Sequence, residues 1–227
     1  MKLVELELTP VKKSVRTKQR PDMYHPVEVG AKRYGSNLTQ LGNPGMYAAA
    51  YEHKKRPGTI LKIGKFHSSP FEDGYLSFVQ AVLKNNRSAG NPYLPRIYGV
   101  KIYRPQEKDG KELRGGQYVV EMEKLYKMRE LRPEELMVIG SKIFMTWDDN
   151  ENELWQLARF LGRACHGDQT ILSQIKDKKL LQAISMIHGI AKRKRHISDI
   201  ELDMHDGNIM FRRTSIGSQL VITDPLA

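Results

Sequence analysis

One stretch near the C-terminal end constrains this chain more than any other: Leu202-Asp203-Met204-His205-Asp206-Gly207-Asn208-Ile209-Met210-Phe211, followed by Leu220-Val221-Ile222-Thr223-Asp224. An acid comes first and an amide follows in the spacing D-x-x-x-x-N. Two short apolar runs then flank a segment holding Thr214, Ser215, Gly217 and Ser218. Apolar runs on either side of turn residues predict a β-hairpin. Such a hairpin returns Asp224, at its far end, to the side of Asn208, at its start. An amide oxygen and a carboxylate on one spot suit a hard cation such as Mg²⁺, which takes oxygen ligands and leaves room for phosphate oxygens. Asp203, just upstream, is then placed to accept a proton from an attacking hydroxyl. These are the parts of a phosphoryl-transfer site. The competing reading is a surface turn rich in Asp, Gly and Asn that ends in an ordinary strand.

A second signal lies upstream, in Leu41-Gly42-Asn43-Pro44-Gly45-Met46-Tyr47-Ala48-Ala49-Ala50-Tyr51 and Thr59-Ile60-Leu61-Lys62-Ile63-Gly64. Small residues in the first part allow backbone N–H groups to approach phosphates closely. The apolar residues around them predict two antiparallel strands. Lys62 falls inside the second strand, between apolar neighbours, where a lysine is costly without an anionic partner. Residues 70–86 read as a helix with Leu76, Val79 and Val82/Leu83 on one face. Pro70 and the Glu72-Asp73 pair suit its start. Asn91–Val100 and Gln117–Glu123 read as further strands, joined through a turn at Lys108-Asp109-Gly110-Lys111. The order over residues 41–123 is therefore strand, strand, helix, strand, strand.

Residues 126–200 read as mostly helical. Leu154, Leu157/Ala158, Leu161 and Ala164/Cys165 form one apolar stripe, and Leu180, Ile184, Ile187 and Ala191 form another. Both are core faces. Cys165-His166 is not taken as a nucleophile pair, because adjacent residues do not face each other on a helix. Lys192-Arg193-Lys194-Arg195-His196 closes the second helix, where the dipole favours cations. Residues 1–40 combine an alternating edge-strand pattern, Leu3-Val4-Glu5-Leu6-Glu7-Leu8, with a basic stretch at Lys12, Lys13, Arg16, Lys18 and Arg20. Pro21 and Pro26 argue against a long helix there.

The net charge of +11 draws polyanions: nucleotide phosphates, acidic proteins or nucleic acid. Nucleic acid is the least favoured, since no nucleic-acid-binding signature or zinc spacing is present. No apolar run approaches the roughly 20 residues that span a bilayer, and no signal-peptide h-region opens the chain. The single cysteine forms no internal disulfide. The expectation is a cytoplasmic protein without a membrane partner.

With these pieces in order, the chain resembles the early serine/threonine protein kinases of short-tailed, T-odd-type bacteriophages, in the protein-kinase-like superfamily. The resemblance rests on Gly45-Met46-Tyr47-Ala48-Ala49-Ala50-Tyr51, on Ile60-Leu61-Lys62-Ile63-Gly64, and above all on Asp203-Met204-His205-Asp206-Gly207-Asn208-Ile209-Met210-Phe211 with Ile222-Thr223-Asp224-Pro225. It covers roughly residues 41–227, with the helical middle aligned only by order. It implies an α+β, bilobal fold: a basic arm over 1–40, a small β-rich N-lobe over 41–125, and a short helical C-lobe over 126–227. It also implies ATP and Mg²⁺ as cofactors and phosphorylation of host proteins in the host cytoplasm, redirecting transcription and translation.

By position, the resemblance gives Asp203 the role of orienting the hydroxyl and taking its proton, and Asn208 and Asp224 that of holding Mg²⁺. Lys62 would bind the α/β-phosphates. The backbone from Gly42 through Asn43, Gly45 and Tyr47 to Ala48 would cover the phosphates. Glu72, with Asp73 second, would brace Lys62, although an acid there is equally what a helix N-terminus favours. Glu121-Met122-Glu123 would be the hinge, with Glu121 and Glu123 beside adenine.

Glu201-Leu202 stand where ordinary kinases carry His-Arg, so no arginine there reads a phosphorylated activation loop. The chain stops at Ala227, three residues past Asp224, so the expected C-lobe is truncated after the metal-binding Asp. Substrate docking would then fall to the middle helices and the N-terminal arm. Two other activities fit many of the same residues. One is a kinase-fold binding protein that inhibits a host enzyme through its basic surface. The other is a small-molecule phosphotransferase of the aminoglycoside-kinase type.

Overall fold

Leu61 and Ile63, the neighbours of Lys62 in sequence, are both buried, and their strand is the middle one of its sheet. The computed structural model describes residues 37–41, 48–66, 69–70, 72–85, 90–103, 116–144, 154–194 and 201–226. The alternating run at residues 3–8, most of the basic arm, the loop from Gly42 to Tyr47 and the turn at 108–111 lie outside them. The described residues form an α+β structure with two antiparallel sheets and five α-helices. They fall into two units, residues 1–73 with 97–124, and residues 74–96 with 125–227. Among the described residues, no helix is long and apolar enough to cross a membrane.

The first unit carries a five-stranded sheet built from β1 (Leu38–Leu41), β2 (Ala48–His53), β3 (Thr59–Phe66), β4 (Ile97–Tyr103) and β5 (Gly116–Glu123), in the order β1-β2-β3-β5-β4. Alternation along a strand sends successive side chains to opposite faces. Leu61 and Ile63 join Ala49, Tyr51, Tyr103 and Val119 in one buried cluster, with Leu38 packed against it. Lys62 therefore points to the other face, opposite Ala50 on β2 and Val120 on β5. Gly64 keeps this face tight, since a Cβ there would meet the Tyr118 ring.

The second unit holds α1 (Gly74–Asn85), the two-residue strand β6 (Tyr126–Lys127), α2 (Pro133–Ile143), α3 (Leu154–Cys165), α4 (Gln169–Gln174), α5 (Lys178–Lys194), β7 (Ile209–Thr214) and β8 (Gly217–Ile222). β6, β7 and β8 form its three-stranded sheet. The two apolar stripes are core as expected: Leu157, Leu161, Cys165, Leu180, Ile184 and Ile187 are all buried. Asp168 caps α4 by accepting from the N–H groups of Thr170 and Ile171. Asp177 does the same for α5 through Lys179 and Leu180.

Two boundaries differ from the sequence expectation. The helix begins at Gly74 rather than at Pro70. Residues 91–96 are not strand: Asn91 accepts from Tyr93 N–H through Oδ1, and Leu94 N–H closes a turn onto Asn91 O. Pro92 and Pro95 suit such a turn, because each lacks the N–H a ladder needs. This turn and α1 belong to the second unit, so each unit draws on two stretches of the chain.

Candidate functional site

The expected hairpin is present and longer than its apolar runs. β7 and β8 pair from Ile209↔Ile222 to Thr214↔Gly217, leaving Ser215 and Ile216 at the tip. The apolar positions Ile209, Phe211, Leu220, Val221 and Ile222 are buried, which fixes this register against a one-residue slip. Arg212 anchors the hairpin by donating to the carbonyls of Pro92 and Leu94, and Ile222 N–H donates to Tyr93 O.

Past the hairpin the two chain segments stay together. Thr223 donates to Asn208 O through both its N–H (2.9 Å) and its hydroxyl (3.0 Å). Asp203 N–H donates to Pro225 O at 2.9 Å, and Leu202 bridges Leu226. Asp224 is thus held between a bond to Asn208 on one side and a bond to Asp203 on the other. The sequence placed Asp224 beside Asn208 from the hairpin alone; the further return onto Asp203 comes from backbone bonds with no sequence signature.

The side chains follow. Asn208 closes a short 3₁₀ turn (Asp206–Asn208) and is 8% exposed. Its Nδ2 donates to Asp203 O at 2.7 Å and reaches Asp203 Oδ2 at 3.3 Å. Because Nδ2 faces Asp203, Oδ1 is the amide atom that a cation would meet. Asp224 takes part in another interaction, but its Oδ1 is buried and accepts no hydrogen bond among the described residues. A carboxylate oxygen is the ligand type that a hard cation takes. Asp203 is more open, its side chain 48% exposed. Its loop lies close on α3: a Cβ at Gly162 would stand 3.3 Å from Met204 Cβ.

Among the described residues, no group of three or more His, Cys, Asp and Glu could hold a metal. A cation here would draw on one amide, one carboxylate, and oxygens from water or a nucleotide. That set suits a hard ion that keeps part of its hydration shell.

The other expected site residues belong to the first unit. Lys62 and Ala48 are on adjacent strands, with Ala48 opposite Gly64. Gly42, Asn43, Gly45 and Tyr47 lie outside the described residues. Glu72 is in the turn before α1, its N–H bonded to Ser69 O, and not on the helix. Glu121 lies within β5. Its carboxylate binds Arg56 at 2.6 Å, and its backbone is inside the sheet, flanked by Leu61 on β3 and Gly99 on β4. Met122 is likewise paired on both sides, whereas Glu123, buried at the strand end, pairs only with Thr59. Of the three, Glu123 alone is at a position where one backbone edge is left by the strands.

Cys165 is fully buried, and burial pushes its thiol up to about 12. It is an inert core residue, consistent with leaving Cys165-His166 out of the chemistry. Two residues near the site had no assigned role in the sequence: Thr223, described above, and His205. A scan of known protein families matches no part of the chain, and no curated protein is significantly similar to it.

Proposed function

We propose that this chain is a serine/threonine protein kinase of the early bacteriophage type, which transfers the γ-phosphate of ATP to host proteins. The observation that supports it is the return of the chain after β8, which holds Asp224 between Asn208 and Asp203. In this reading Asp203 orients the substrate hydroxyl and takes its proton. The hydroxyl oxygen bonds to the γ-phosphorus as the bond to the β–γ bridging oxygen breaks, and ADP leaves with that electron pair. Asn208 Oδ1 and Asp224 would hold Mg²⁺, which supplies charge neutralisation at the phosphate oxygens when bound. Lys62 is assigned to the α/β-phosphates, and the backbone from Gly42 to Ala48 to covering them. Positioning and charge stabilisation carry most of the acceleration in such a site.

The test is transfer of labelled γ-phosphate in the presence of Mg²⁺, with host lysate or with small-molecule acceptors, beside Asp203→Ala. The expected result is label on protein Ser or Thr, lost by about 100-fold or more in the variant. Label on small molecules alone would instead support the phosphotransferase. ATP binding without transfer would support a kinase-fold binding protein that acts through its basic surface. Neither binding nor transfer would sink the phosphoryl-transfer reading.

A further inference from the structure

His205 stands in the loop between Asp203 and Asn208, with its side chain about half exposed. Its Nδ1 accepts the backbone N–H of Gly207 at 3.0 Å. Its Nε2 lies 3.7 Å from Asp203 Oδ2. Gly207 makes this ring position available, because a Cβ there would stand 2.7 Å from His205 Cε1. A neutral imidazole whose Nδ1 accepts a hydrogen bond carries its proton on Nε2. The loop's own backbone therefore selects the tautomer that presents an N–H donor to the Asp203 carboxylate.

We propose that His205 is a positioning residue for Asp203. Anchored by Gly207, it holds Oδ2 from one side while Asn208 Nδ2 reaches the same oxygen at 3.3 Å. Two donors converging on Oδ2 leave Oδ1 to face the hydroxyl. At 3.7 Å the histidine contact is longer than a hydrogen bond, and contacts of this kind tighten when substrate fills a site. The kinetic consequence rests on the phosphoryl-transfer reading of Asp203; the contact itself does not.

Two measurements on the full chain separate these. Ring ¹⁵N spectra of the histidines, compared between wild type and Asp203→Asn at one pH, report the contact. The expected result is the Nε2–H tautomer for His205, with its Nε2 resonance moved by the Asp203 change and Nδ1 little affected. The Nδ1–H tautomer, or an Nε2 that ignores Asp203→Asn, would overturn the proposal. Kinetics of His205→Leu and His205→Gln then report the consequence. Leu removes the donor, and kcat should fall about tenfold, as for loss of an orienting partner, with the ATP KM changed by less than about twofold. Gln keeps a donor at similar reach and should restore most of kcat. Equal losses in both variants would mean only structural damage and would also overturn it. Absence of transfer by the wild type would refute the kinase reading, and the spectra alone would then uphold or overturn the contact.

Discussion

Thr223 donates twice to a single carbonyl, that of Asn208, and it is one of the few buried polar residues among those described. Its N–H bond lies just beyond the last strand pair, Ile209↔Ile222; its hydroxyl bond is an addition that fixes where the chain turns into Asp224. Thr223→Val keeps the shape and the N–H and removes only the hydroxyl. The expected cost is about 1 kcal/mol of stability, read from the urea midpoint, with ATP affinity also weakened because the Asn208–Asp224 spacing loosens. An unchanged midpoint would show that the hydroxyl bond contributes nothing. The nearness of Asp224 to Asn208 was legible because the hairpin between them returns the chain, whereas the bond from Asp203 to Pro225 was not. Thr223 was not, since the partner of a hydroxyl depends on the register, and only the burial of Ile209 and Ile222 sets that register. His205 was visible as a letter in the loop, yet its tautomer is decided by Gly207 N–H, which no spacing reveals.

At the scale of elements, the strands around Lys62 and the helices with apolar stripes were readable because each repeats its period several times. β1 was missed: Leu38-Thr39-Gln40-Leu41 has four residues, two of them polar and exposed, and it exists by pairing with β2. Residues 91–96 were misread for the opposite reason. Tyr93 and Leu94 look like strand residues, and both are buried, but they are buried by a proline-bounded turn. That turn is tied to α5 at two points. Asn91 Nδ2 donates to Lys179 O, and the Tyr93 phenol donates to Asp177 Oδ2 at 2.6 Å. Burial first, and then Asp177, push the Tyr93 phenol well above its usual range, so it remains a donor across the working pH range. Asp177 thus serves as the α5 cap with one oxygen and as the phenol's acceptor with the other. Asp177→Ala should cost about 1 kcal/mol for the cap and roughly as much again for the phenol bond. Tyr93→Phe should cost only the second part. A double variant no less stable than Asp177→Ala would show that the two share that bond; simple additivity would refute the pairing.

At the scale of the whole molecule, the α+β class was legible, because runs with a strand period and runs with a helix period both occur along the chain. That residues 74–96 join the second unit was not legible. The bonds that place them, Ile222 N–H to Tyr93 O and Arg212 to Pro92 and Leu94, join residues more than a hundred positions apart. Cys165 gives this unit a probe. Its thiol rises from 9.0 to about 12 through burial, so a thiol reagent should label it only when the second unit opens. The unfolded thiol loses its proton near pH 9 while the folded one keeps it. Above that pH the unfolded state binds fewer protons, so stability falls as pH rises from about 9 towards about 12. Labelling by opening should accelerate over that window. Fast labelling of the folded protein at pH 8 would contradict the burial.

The most direct measurement is the Mg²⁺ dependence of ATP binding, by calorimetry, in the wild type, Asp224→Asn and Asp203→Asn. If the returning chain builds one cation–nucleotide site, Mg²⁺ tightens ATP binding by the wild type. Asp224→Asn loses that gain by about tenfold or more. Asp203→Asn keeps it, because Asp203 acts on the hydroxyl. Binding that is the same with Mg²⁺ and with chelator, or a gain that survives Asp224→Asn, would contradict the assignment of Asp224 and of the site built around it.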